Sequence, residues 1–204
     1  ASGNVQTVTD ALGRTTTNTY DAVTHTYLVQ IENALGHSRQ LVYDARTGQV
    51  LRSTDQNGTT ILTTYDALGR VIQTSFIDPA TLAEVITTRI EYDLATIPTR
   101  TTTTVYSDPS HLTPLTSHLF TDGLGRTIQT RSPAEDPEKQ VVTGAVAFDA
   151  RGLVVKQWVP YLADMSSSYV PLSLAPSASS LASVQYAYDP VGRRIKTTEP
   201  NGTE

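Results

Sequence analysis

Tyr65-Asp66-Ala67-Leu68-Gly69-Arg70-Val71-Ile72-Gln73-Thr74 is the stretch whose pattern fixes the fold class. An aspartate at the start of a chain reversal accepts backbone N–H bonds two residues on, and a glycine just after it supplies the positive φ that closes a short hairpin loop. Beyond the reversal, Ile72, Thr74 and Phe76 fall on one face and Val71, Gln73 and Ser75 on the other, the period of two of a pleated strand. Ahead of it, Ile61, Thr63 and Tyr65 alternate in the same way. The ten residues spell the end of one strand, a tight turn and the start of the next.

The same turn recurs along the chain. Asp122-Gly123-Leu124-Gly125-Arg126-Thr127-Ile128-Gln129-Thr130 is a near twin. Further copies are Asp10 with Gly13 and Arg14, Tyr43 and Asp44 with Gly48, Phe148 and Asp149 with Gly152, and Tyr188 and Asp189 with Gly192 and Arg193. Degenerate copies start at Tyr20-Asp21, at Asn33-Ala34-Leu35-Gly36-His37 and at Tyr92-Asp93. From Tyr20 to Tyr43 to Tyr65 the spacing is 23 and then 22 residues, and between Phe148 and Tyr188 it widens to 40. Each unit is one hairpin, and a lone hairpin is only marginally stable in water, so units must add edge to edge. The expectation is an all-β fold, consecutive antiparallel β-hairpins forming a curved, continuous meander sheet. It should run as a single region over residues 1–204, with irregular insertions at about 77–118 and 162–183. The turn aromatic and the arginine four or five residues on are expected to stack across the hairpin mouth.

Between the copies, prolines at positions 79, 98, 109 and 114 confine the chain to edges and loops, with strands expected at Thr87 to Tyr92 and Arg100 to Tyr106. Ser132 to Lys139 reads as an exposed turn before one strand from Val141 to Phe148. The stretch Asp164 to Ser183 reads as a long loop with one short helical turn, anchored to the sheet by Trp158 and Tyr161.

Composition narrows the function classes. A hydrophobic content of 38% in 204 residues is enough for a core. A net charge of −5 and a pI near 5.3, with arginines scattered through turns, argue against nucleic acid as a partner. Without cysteine there is no disulfide, thiolate nucleophile or cysteine-bound metal. No run of about 18 apolar residues offers a membrane span. The opening Ala1-Ser2-Gly3-Asn4, lacking Met and any leader pattern, reads as the start of an excised fragment.

Candidate chemistry is sparse, and no cofactor is expected. The histidines His25, His37, His111 and His118 lack metal-ligand spacing and read as solvated loop residues. Glu135, Asp136 and Glu138 cluster in a proline-flanked turn, where nothing would split their pKa values for acid–base work. Asp55-Gln56-Asn57-Gly58-Thr59 lacks the distal glutamate of a calcium loop and reads as a hairpin turn. Gly123-Leu124-Gly125 lacks a third glycine for a dinucleotide loop, and Ser166 to Ser168 sits in no nucleophile motif. Repeated tyrosines on one face could stack sugars, which makes an adhesion or carbohydrate-binding module the alternative reading.

These residues resemble the YD/RHS repeats of bacterial polymorphic toxins and of the B and C components of insecticidal toxin complexes, with related repeats in teneurins. The resemblance spans essentially the whole chain, and Phe120 to Arg126 is most similar to the toxin-complex B component. It implies a secreted or cell-surface, non-catalytic scaffold, a segment of a hollow β-shell that encloses and helps deliver a toxic C-terminal cargo. The implied partners are the remaining shell, toxin-complex subunits and the cargo polypeptide, with glycans added under the alternative. The family's autoproteolytic core signature has no match here, so no catalytic residue is carried over.

Overall fold

The computed structural model describes residues 3–107, 113–172 and 181–203. Among them there are seventeen strands and no α-helix. They are β1 (Thr7–Thr9), β2 (Thr15–Tyr20), β3 (Leu28–Glu32), β4 (Ser38–Tyr43), β5 (Val50–Thr54), β6 (Thr60–Tyr65), β7 (Val71–Ile77), β8 (Glu84–Asp93) and β9 (Thr99–Val105). Then come β10 (Leu115–Thr121), β11 (Thr127–Pro133), β12 (Lys139–Thr143), β13 (Val146–Phe148), β14 (Val154–Trp158), β15 (Tyr161–Asp164), β16 (Ser183–Tyr188) and β17 (Arg194–Thr198). Strand order follows sequence from β1 to β12 and then β15 in a 13-stranded sheet, while β13, β14, β16 and β17 form a second sheet of 4. All pairings described are antiparallel, as expected from the hairpin repeat.

The chain divides into two compact units, Ala1–Ile90 with Tyr106–Thr113, and Glu91–Val105 with Pro114–Glu204. The first is a ladder with no fully buried apolar side chain among its described residues. Its buried side chains are Thr60 and Ser75, while Val42, Leu51 and Ile61 stand exposed on the sheet. The second has a small core of Phe120, Val142 and Ala145, ringed by the buried polar side chains His118, Gln129, Arg131 and Gln140.

Six of the aromatic–aspartate hairpins carry a register shift at the aromatic residue or immediately before or after it. The shifts lie at Thr19/Tyr20, Val42/Tyr43, Thr64/Tyr65, Phe120/Thr121, Ala147/Phe148 and Ala187/Tyr188. Such a bulge bends its strand and raises the local twist. It also corrects the simple alternation read for β7. Thr63 pairs Thr74 and Ile61 pairs Phe76, yet Tyr65 pairs Val71, so the bulge brings Val71 over to the tyrosine's face.

Three further expectations shift. The strand read from Val141 to Phe148 is broken at Gly144, whose φ of 65° ends β12 and lets the chain leave for the second sheet. Ser132 and Pro133 belong to β11, opposite Val141 and Gln140, which shortens the exposed turn to residues 134–138. The loop read from Asp164 starts one residue later, because Asp164 closes β15, which pairs with β12. A helical turn is expected somewhere in that loop, of which residues 173–180 lie outside the described residues.

Candidate functional site

Each repeat turn is a small polar knot. In Asp66 to Arg70 the Gly69 N–H donates to the Asp66 carbonyl at 3.0 Å and the Asp66 N–H to the Arg70 carbonyl at 2.9 Å. These bonds, with Gly69 at φ 81°, describe a three-residue hairpin loop ended by a left-handed glycine. The Asp66 carboxylate accepts the backbone N–H groups of Leu68 and Arg70, both at 2.9 Å, and the Arg70 guanidinium at 2.7 Å. Asp10 with Arg14, Asp122 with Arg126 and Asp189 with Arg193 repeat that arrangement. At Asp149 the arginine moves to Arg151, and at Asp44 to Arg46 in a loop one residue longer that ends at Gly48. Asp21 gathers the N–H groups of Thr24, Thr26 and Tyr27 in the longest of these loops. Backbone donors and the neighbouring arginines hold the carboxyls of Asp10, Asp44, Asp66, Asp122, Asp149 and Asp189 below the ordinary aspartate range. Backbone donors, led by Thr24, together with the Thr24 hydroxyl do the same at Asp21.

The arginine is therefore held by its own aspartate. Where it does meet a ring, the ring belongs to the next repeat: the Arg126 guanidinium lies 3.7 Å from the centre of Phe148.

The tyrosines have a role the sequence reading missed. The Tyr65 hydroxyl donates to the Val50 carbonyl at 2.9 Å, Tyr43 to Leu28 at 3.1 Å, Tyr20 to Val5 at 3.2 Å and Tyr188 to Val154 at 2.8 Å. In each case the acceptor lies two residues beyond the last ladder pair joining that strand to its neighbour: Arg52–Leu62, Gln30–Gln40, Thr7–Thr17 and Lys156–Gln185. The bulge splays the strands there, and the phenol caps the carbonyl the ladder leaves behind. A fifteen-residue spacing between a tyrosine and its acceptor, which opens the preceding strand at Tyr43 and Tyr65 and lies just ahead of it at Tyr20, was the available signal.

Successive turns are laced to one another. Tyr27 Oη donates to the Ala45 carbonyl and Gln49 Nε2 to the Gly69 carbonyl in the first unit. In the second, Arg126 Nη1 donates to the Gly152 carbonyl and Arg151 Nη1 to the Asp189 carbonyl. Each time a side chain of the earlier turn reaches a main-chain oxygen of the later one. Asp10 and Gly13, on the opposite edge of the ladder, take no part in this lacing.

A second feature lies in the second unit. Residues 165–172, part of the long loop read from sequence, form a strap over one face of β10 to β12. Gln129 binds Val170 twice, donating to its carbonyl at 3.0 Å and accepting its N–H at 3.3 Å. Gln140 Oε1 accepts the Ser166 N–H at 3.0 Å and Arg131 Nε at 2.9 Å. Tyr169 packs on Phe120 with ring centres 5.8 Å apart. Tyr169 thus anchors the loop, and the expected anchors lie on strands instead, Tyr161 opposite Val142 and Trp158 opposite Ser183. His118 is likewise no loop residue: it sits on β10, 8% exposed, with its Nδ1 3.1 Å from Thr102 Oγ1. His25 and His37 are exposed, and His111 lies outside the described residues. Among the described residues no three His, Asp or Glu side chains gather to hold a metal, and no helix is long and apolar enough to cross a membrane.

Comparison with known proteins agrees with this geometry. The RHS Repeat family matches residues 43–80, and a domain of unknown function, DUF6443, matches residues 94–199, just over half of the 204. No curated protein matches the chain. Among solved structures, the crystal structure of TcdB2-TccC3 is 21% identical with a TM-score of 0.73, over 98% of this chain and 12% of that one. TcdB2-TccC3-Cdc42 is 18% identical with a TM-score of 0.75, over 98% of this chain and 14% of that one. The Photorhabdus luminescens Tc holotoxin pore is 18% identical over 92% of this chain and 14% of that one. This chain thus spans about one-eighth of the length of those structures, and at such identity the likeness is one of fold. The chain belongs to the DUF6443 family, and it is an RHS-repeat protein with the toxin-complex type of β fold.

Proposed function

We propose that this chain is a non-catalytic wall segment, one stretch of a hollow β-shell that encloses a toxic C-terminal cargo and helps deliver it. The observation that carries the reading is the lacing of the turns. Four turns, those starting at Asp21, Asp44, Asp122 and Asp149, each send a side-chain donor forward to a main-chain oxygen of a later turn, so that hairpin is tied to one further along the chain. That is the design of a surface that extends by repetition. The first unit, a ladder without a fully buried apolar side chain among its described residues, suits a wall whose faces meet other material in the complete assembly. On this reading residues 1–204 work as one repeat region of a secreted protein, and its partners are further repeats, toxin-complex subunits and the enclosed polypeptide.

The test is limited proteolysis of the full gene product with the chains that co-purify with it. The proposal expects a segment outside the repeats that resists protease until the repeats themselves unfold. Digestion of every segment outside the repeats at the rate of free peptide would overturn enclosure. A glycan array in the same preparation separates the adhesion alternative, which requires saturable binding lost on substituting exposed tyrosines.

A further inference from the structure

The strap at 165–172 is seated over two arginines, Arg131, whose hydrogen bonds reach no carboxylate, and Arg100, paired with Asp93. Across β9, β10 and β11 the register sets Thr102 opposite His118 and His118 opposite Arg131, with Arg100 opposite Phe120 two residues along the same face. Arg131 is 2% exposed, and its bonds run to neutral oxygens, Nε to Gln140 Oε1 at 2.9 Å and Nη2 to the Asp164 carbonyl at 2.7 Å. Arg100 sends Nη1 to the Ser167 carbonyl at 2.7 Å and Nη2 to Asp93 at 3.3 Å, while its buried Nε–H has no partner. The one acid near Arg131, Asp164, gives its carboxylate to Lys139 at 2.6 Å. Two guanidinium groups and an imidazole thus sit beneath a polypeptide whose carbonyl dipoles supply most of the compensation.

The remaining groups around His118 do not offset this. Its own strand contributes Phe120, β9 contributes Arg100 and Thr102, and β11 contributes Arg131. From β15 come Tyr161 and the committed Asp164, and from the strap comes Tyr169. A proton on the imidazole would place a third cation in the cluster, where burial already penalises charge. The strap is the piece able to yield, because its hold is a short set of hydrogen bonds and one ring contact outside the ladder.

We propose that the strap is an acid-sensitive latch and that His118 is its trigger: protonation of the imidazole releases residues 165–172 and uncovers Phe120, Gln129 and Gln140. Desolvation, with Arg100 and Arg131 adding repulsion, holds His118 below its usual value of 6.5 while the strap is closed. A residue whose value is depressed in the closed state takes up its proton more readily in the open one. Closure is therefore fully favoured above about pH 6.5 and loses ground as the pH falls below it. Arg131 is the positioning residue, joining the cation cluster to the strap through Gln140.

Hydrogen exchange of the full chain tests this at the Ser166 and Val170 amides, which donate to Gln140 and Gln129. With intrinsic exchange corrected for, their protection should fall about tenfold or more between pH 7.5 and 5.0, while the β6–β7 ladder amides hold theirs. In His118→Gln the protection should be independent of pH over that range. Constant protection in the wild type, or the same decline in the variant, would overturn the latch. A histidine NMR titration of the wild-type chain provides a readout without substitution. The latch requires a His118 value below 6.5 that tracks strap opening, and a value at or above 6.5 contradicts it.

Discussion

At the scale of single residues the repeat motif separates into parts with different duties. The glycine is needed for its backbone: Gly69 and Gly125 sit at φ 81° and 77°, where an L side chain is strained. Their surroundings differ. A Cβ on Gly125 would meet nothing within 4 Å, whereas one on Gly69 would fall 2.8 Å from Gln49 Nε2, which binds the Gly69 carbonyl. Gly125→Ala should destabilise by about 1 kcal/mol, and Gly69→Ala by more, since it also breaks the lace to the preceding turn. Thermal or chemical unfolding of the two variants checks both the sign and the order. The tyrosine is needed for its hydroxyl. Tyr65→Phe leaves the ring in place and uncaps the Val50 carbonyl, for an expected loss of about 0.5–1.5 kcal/mol by urea denaturation. The aspartates are needed in their charged form. Folding lowers the carboxyl values of Asp10, Asp21, Asp44, Asp66, Asp122, Asp149 and Asp189 from 3.8, so the stability they add is present above that pH. It is lost as the pH falls through the depressed values. In His118→Gln, which removes the imidazole's own pH dependence, melting temperature should be flat from pH 7 to about 5 and drop steeply below 4, and adding Asp66→Asn should flatten part of that drop.

Hairpins and their junctions form the next level, and here sequence legibility divides sharply. The hairpins were legible because two local signals agree, the turn chemistry of Asp66 to Gly69 and the alternation of Ile61 to Phe76 around it. The bulges were not, because a register shift such as Thr64/Tyr65 depends on how two strands meet and leaves no composition cue. The backward reach of Tyr65 and the forward reach of Gln49 and Arg126 are hidden for a related reason: their partners are carbonyls, which every residue carries. The strap reads as a long loop because Ser, Pro and Ala are what a loop contains, and its hold comes from Gln129, Arg131 and Gln140 on strands far off in sequence. Those polar side chains sit at alternating positions on β11 and β12 where a core strand would place apolar ones, and that departure was the available clue. Gln129→Ala removes both bonds to Val170 and leaves that residue's part-buried amide and carbonyl without Gln129, so it should loosen the strap while sparing the hairpins. Protease cleavage within 165–172 at a faster rate, with an unchanged β-sheet circular dichroism spectrum, is the expected outcome.

For the whole molecule the bulged hairpins, capping phenols and laced turns form one logic: stability is assembled from repeat-to-repeat bonds more than from a deep core. Phe120, Val142 and Ala145 are the buried apolar side chains among the described residues, and in the first unit valine, leucine and isoleucine side chains stand open on the sheet. A soluble enzyme domain of similar length would bury far more. A wall segment gains its remaining burial from neighbouring repeats and from whatever the wall surrounds. Cryo-electron microscopy of the full gene product tests that claim most directly. The account predicts a closed shell in which β1 to β17 form part of the wall, the laced turns run along one edge, and non-repeat polypeptide fills the interior. An open ribbon with solvent on both faces and no enclosed density would contradict it.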